Sequence, residues 1–114
     1  MMLVDTHAHI DGQEFEEDRA AVVDRAAQAG VERIINMGDD LLSSERSVKL
    51  TEAFAGIYAG VGIHPEEAFP MGQAEDDRLA AWAVLPKVVA VGEIGLDYYW
   101  EKDPEKRALQ RMIF

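Results

Sequence analysis

The chain has 114 residues, no cysteine, 48% hydrophobic and 29% charged residues, and a formal net charge of −11 from 22 acidic and 11 basic side chains. That is the size of one ordinary domain and too apolar for a disordered chain, and the lack of cysteine excludes a disulfide scaffold and thiolate metal sites. So acidic a body offers no basic stripe to a phosphate backbone, so a nucleic-acid substrate needs positive charge from another source, such as a metal ion.

Met2 to Ile10 (MLVDTHAHI) reads as the first strand. No apolar run approaches the ~20 residues of a membrane helix, and the opening residues lack the basic and apolar regions of a signal peptide. A cytoplasmic protein without a membrane partner is the expectation. Glu16 to Ala29 predicts a helix with Ala20, Val23 and Ala27 on one stripe and Gly30 just beyond its end. The acidic stretch Asp11 to Asp18 before it is expected to face water at the helix N-terminus. Val31 to Gly38 is the second strand. Ser43 to Ala55 predicts a helix opened by a capping Ser pair and closed at Gly56. Gly56 to His64 is the third strand, and Asp76 to Leu85 a shorter helix stopped by Pro86. Lys87 to Leu96 is the fourth strand. Asp103-Pro104 opens the last helix, with Asp as N-cap and Pro in the first helical position. Met71, Phe69 and Trp82 read as core or cover residues.

The β-branched cores of these runs suit strands buried on both faces, as in a parallel sheet. A βαβαβαβα order fits βαβ units. An open doubly wound sheet and a (β/α)8 barrel both use this rhythm. His-Ala-His stands after the first strand, where a doubly wound sheet carries its Gly-rich ligand signal. A barrel takes ~250 residues, so residues 1–114 read as four of its eight βα units. Four strands leave two sheet edges open, from which a homodimer or larger assembly is expected.

His7 and His9 share a face of the first strand at its C-terminal end, so both imidazoles converge on one point. Neutral imidazole is the commonest metal ligand; two solvated histidines at a strand end are the plainer reading. Glu93, between Gly92 and Gly95 after the fourth strand, reads as a metal-bridging carboxylate or as a solvated loop Glu. His64, held extended by Pro65, reads as a phosphate contact or as a hydrogen-bonded strand-end histidine. Asp97 orients a ligand or makes an ordinary turn. Tyr98, Tyr99 and Trp100 either stack on nucleobases or pack against the loop. The three histidines and Glu93 all fall at C-terminal strand ends, the face where barrel enzymes keep their sites.

D-T-H-A-H-I-D at Asp5 to Asp11, G-I-H-P at Gly62 to Pro65, and G-E-I-G-L-D-Y-Y at Gly92 to Tyr99 together resemble the TatD family of metal-dependent deoxyribonucleases, within the amidohydrolase-like metal-dependent hydrolases. The resemblance spans essentially the whole chain but only the N-terminal half of a family member. It implies a TIM-type (β/α)8 barrel and two divalent ions (Zn, Mn or Mg), with His7 and His9 as first-strand ligands and Glu93 as the bridging carboxylate. His64 would contact the phosphate of a DNA substrate. Two later histidines and an aspartate that the family uses have no match in residues 1–114. At most one well-held ion, and weak or absent turnover by this chain alone, are therefore expected. Related barrels hydrolyse small esters, lactones and amides, which is a second reading. A third is an inactive half-barrel that self-associates.

Overall fold

A computed structural model describes residues 1–67 and 71–114; Phe69 lies outside the described residues. In chain order the elements are β1 (Leu3–Ala8), α1 (Arg19–Gln28), β2 (Val31–Met37), α2 (Leu41–Ala53), β3 (Ile57–Val61), α3 (Gln73–Ala83), β4 (Val88–Val91) and α4 (Pro104–Ile113), with 3-10 turns at Gln13–Phe15 and Pro65–Glu67. All strand pairs are parallel, and the sheet order is β1-β2-β3-β4. A doubly wound sheet reverses its order partway across. This one advances in a single direction, as the wall of a barrel does, in agreement with the half-barrel expected from the sequence.

Burial is uneven across the sheet. Ile57, Ala59 and Val61 of β3 are fully buried, whereas Leu3, Val4, Val89 and Val91 on the outer strands are exposed. Within residues 1–114 the two-sided burial expected of the strands is seen at β3 and not at β1 and β4, which are the edges of this four-strand segment. Apolar sequence gives a strand the means to be buried, but an edge strand has a neighbour on one side only. Ile10, Ile34, Leu50 and Ile57 form the core between sheet and helices, with Phe15, Val22, Val23 and Phe54 packed against them. Each such side chain contributes about 1.5–3 kcal/mol when taken fully out of water.

Helix boundaries shift for identifiable reasons. α1 starts at Arg19, because Gln13–Phe15 first makes a 3-10 turn that sends Phe15 into the core. The Arg19 guanidinium then ties the helix to the preceding loop through the carbonyls of Ile10, Asp11 and Gly12. Gly30, with φ +91°, follows α1 as expected. α2 is capped by Asp40, not by the Ser pair. Asp40 Oδ1 accepts from the Ser43 amide at 2.6 Å, and Ser43 Oγ accepts from the Asp40 amide at 3.0 Å. α3 begins at Gln73, where Glu75 Oε2 accepts from the Gly72 amide at 2.9 Å, and ends before Pro86. α4 has the expected Asp103 cap, bonded to the Glu105 amide at 2.8 Å. At the opposite end of the sheet from the histidines, Lys87 Nζ donates to the carbonyls of Thr51, Phe54 and Ala55 and closes the C-terminus of α2.

Candidate metal centre

The C-terminal end of β1 and the loop that leaves β4 bring His7, His9 and Glu93 together. Ala8 packs against the core, so the flanking imidazoles turn to the other side. Glu93 is delivered by the loop after β4. Its amide donates to Gly38 O at 2.7 Å, and the Gly92 amide to Val61 O at 2.9 Å, so the ends of β2 and β3 both hold this loop. Close backbone approach makes that possible. A Cβ on Gly62 would stand 2.6 Å from the Gly92 carbonyl carbon and 2.8 Å from Glu93 O. Any side chain at position 62 therefore displaces the segment that carries Glu93.

His7 Nε2 lies 2.7 Å from Glu93 Oε1, His9 Nε2 lies 3.7 Å from the same oxygen, and the two Nε2 atoms are 3.1 Å apart. One ligand atom from each of the three residues falls within 4.8 Å of the others. Two imidazole nitrogens bound tetrahedrally to one zinc ion stand about 3.3 Å apart, given bonds of about 2.0–2.1 Å. The spacing fits one ion, and the donor set of two nitrogens and a carboxylate suits zinc or a harder divalent cation. His9 Nδ1 lies 3.0 Å from the Met37 carbonyl, which only accepts. The hydrogen of neutral His9 is therefore on Nδ1, and the Nε2 lone pair faces the other donors.

His64 and Asp97 form a second group with Glu66, again with one atom of each within 4.8 Å. Here the imidazole is oriented the opposite way. The Glu66 amide donates to His64 Nδ1 at 3.1 Å. The hydrogen of neutral His64 is then on Nε2, which makes that atom a donor rather than a ligand. Asp97 Oδ1 accepts from the amides of Tyr99 and Trp100, each at 3.0 Å, and the Asp97 amide donates to Gln110 Oε1 at 2.9 Å. Asp97 thus shapes the loop after β4 and ties it to α4.

The sequence reading missed the polar support beneath the histidines. Asp11, expected in water, is buried. Its carboxylate accepts from Asn36 Nδ2 at 2.9 Å and from Arg46 Nε at 3.0 Å. Asn36, fully buried near the C-terminal end of β2, also donates to Ser47 Oγ at 2.7 Å and accepts from the Ile10 amide at 2.6 Å. Asn36 therefore fixes the backbone one residue past His9, while the next residue on β2, Met37, fixes the His9 ring. An Asn inside the apolar run Val31 to Gly38 is the signal that marks this network. Ser44, also buried, bonds both the amide and the carbonyl of Gly62, each at 3.1 Å. Met71 lines an apolar hollow of about 170 Å³ with Ile63, Leu79 and Ile113, and Trp82 lies 5.1 Å below the Arg78 guanidinium. Both serve as cover, as expected. No helix of the described residues is long and apolar enough to cross a membrane.

Residues 4–114 match the family model described as TatD related DNase. The chain is 37% identical over 113 residues to a Bacillus subtilis protein named uncharacterized metal-dependent hydrolase YabD, covering 99% of this chain and 44% of that protein. It is 30% identical to the 3'-5' ssDNA/RNA exonuclease TatD of Salmonella typhimurium, covering 97% and 44% respectively. The crystal structure of the TatD homologue YjjV from Escherichia coli superimposes with a TM-score of 0.82 at 36% identity, over 97% of this chain and 43% of that one. The chain thus spans less than half the length of these relatives.

Proposed function

The chain belongs to the TatD-related DNase family, and from that premise we propose that it carries the β1 and β4 metal ligands of a hydrolase that cleaves phosphodiester bonds at DNA ends. In this reading residues 1–114 are the first four βα units of an eight-unit barrel, and the protein works in the cytoplasm. The observation that supports it is the convergence of His7 Nε2, His9 Nε2 and a Glu93 oxygen, with the His9 lone pair directed by Met37.

These three residues would hold one divalent cation, zinc, manganese or magnesium. When bound, the cation supplies Lewis acidity and a water of lowered pKa. His9 would turn its Nε2 lone pair towards it, with His7 Nε2 beside it, and Glu93 would add the negative charge that balances it. His64 presents Nε2–H to a non-bridging phosphate oxygen. Its charge-neutral hydrogen bond grows stronger as the oxygen gains charge in the transition state. Asp97 is a positioning residue: it sets the loop that borders His64. The further ligands implied for the family have no counterpart in residues 1–114, so one ion and weak turnover are expected of this chain. Residues 1–114 taken by themselves would pair the open edges of β1 and β4 with those of a second copy, and a monodisperse monomer of this segment in sedimentation would contradict that.

The test compares cleavage of an end-labelled DNA oligonucleotide with that of a p-nitrophenyl ester in Mn²⁺. The reading expects oligonucleotide cleavage that disappears in Glu93→Gln and exceeds ester cleavage. Ester turnover alone, or cleavage indifferent to Glu93, contradicts it.

A further inference from the structure

Met37 ends β2, and its carbonyl lies 3.0 Å from His9 Nδ1. Its side chain has a separate contact. Asn36 turns towards α2, where it meets Ser47, so Met37 turns to the opposite face of the sheet, the face of the two imidazoles. Leu3 on that face is exposed, yet Met37 is only 8% exposed. Two glycines account for the difference. Gly60 is the register partner of Met37 on β3. A Cβ on Gly60 would stand 2.5 Å from both Met37 Sδ and Met37 Cε, and a Cβ on Gly92 would stand 2.7 Å from the same Cε. The thioether therefore lies across β3 in the space of two missing side chains. Its terminal methyl rests against Gly92, the residue before Glu93. Methionine suits that reach, being unbranched with three rotatable side-chain bonds.

The last residues of β2 and the one after them thus touch both segments that carry metal donors. Asn36 Oδ1 accepts from the Ile10 amide, Met37 O faces the His9 ring, and Gly38 O accepts from the Glu93 amide at 2.7 Å. β2 lies beside β1, but β3 separates it from β4. The bare backbone of Gly60 is what lets the Met37 side chain cross that strand and reach Gly92.

We propose that Met37 is a positioning residue for the metal centre, acting on both sides of it. Its carbonyl sets the His9 ring, and its thioether, seated over Gly60 and against Gly92, sets the loop that presents Glu93. One residue thereby ties the donor pair of β1 to the carboxylate from β4. The inference rests on the metal-hydrolase reading above and deepens it.

The test separates the side chain from the carbonyl. Met37→Ala keeps the carbonyl and removes the thioether. Zn²⁺ affinity, read by calorimetry, is expected to fall about tenfold. In the metal-free protein, amide hydrogen exchange read by NMR should quicken about tenfold at Glu93 and stay within about twofold at Ala59, whose amide bonds Lys87 O on β3. Gly60→Ala blocks the slot with Met37 still present, since the new methyl takes the place of Sδ and Cε. It should reproduce both effects, yet add less than about twofold to either in the Met37→Ala background. Should Met37→Ala fail to fold, Gly60→Ala alone decides by the same two readouts. Unchanged exchange at Glu93 overturns the proposal. So does equal quickening at Glu93 and Ala59, which marks a loss of global stability only, or an equal effect of Gly60→Ala in both backgrounds. The exchange pattern expected here in a protein that binds no Zn²⁺ keeps Met37 as the support of the Glu93 loop and contradicts only the metal reading.

Discussion

His9 and His64 stand at the same end of the same parallel sheet, yet the backbone prepares them for opposite work. At His9 the partner of Nδ1 is a carbonyl, Met37 O; at His64 it is an amide, Glu66 N–H. The first arrangement leaves Nε2 with a free lone pair and the second leaves it with a hydrogen. The chemistry of each imidazole is thus set by which main-chain group lies behind the ring. The mouth of β1 collects metal donors, and the mouth of β3 offers a hydrogen-bond donor to an anion.

Breaking the donor side gives the largest effect. Glu93→Gln removes the charge that balances a cation, and Zn²⁺ affinity measured by calorimetry should fall at least about 100-fold. The support beneath the same histidines comes next. Asn36→Ala leaves the Ile10 amide and the buried Asp11 carboxylate each short of a partner, and should cost about 2–3 kcal/mol in urea denaturation. Gly62→Ala pushes on the Glu93 loop from below, so Zn²⁺ affinity should drop by roughly tenfold. An unchanged affinity would show that the close approach at Gly62 does not position Glu93. The comparison is sharpened by the smallest effect. His64→Ala should leave Zn²⁺ affinity within about twofold, since its Nδ1 is occupied and its Nε2 carries hydrogen, while oligonucleotide cleavage falls.

The same contrast explains what the sequence made legible. The convergence of His7 and His9 is legible from strand parity, and Glu93 stands out by its cost after an apolar strand, because both signals are local. The barrel is legible in the βα rhythm together with His-Ala-His in place of a Gly-rich signal after the first strand, and the pairing of β1 through β4 agrees with it. Asp11 was misread because its partners, Asn36 and Arg46, lie 25 and 35 residues away. As part of an acidic stretch it looks solvated, and only the fold supplies the groups that let it be buried. Leu3, Val4, Val89 and Val91 have the sequence of buried strands and are exposed in residues 1–114, where β1 and β4 each have a neighbour on one side only.

The most direct measurement is an anomalous difference map of crystals grown with Zn²⁺, recorded at the zinc edge. The account predicts one peak, about 2.0–2.2 Å from His7 Nε2, His9 Nε2 and a Glu93 carboxylate oxygen. A peak held instead by His64, Glu66 and Asp97, or none at all at saturating metal, would contradict it.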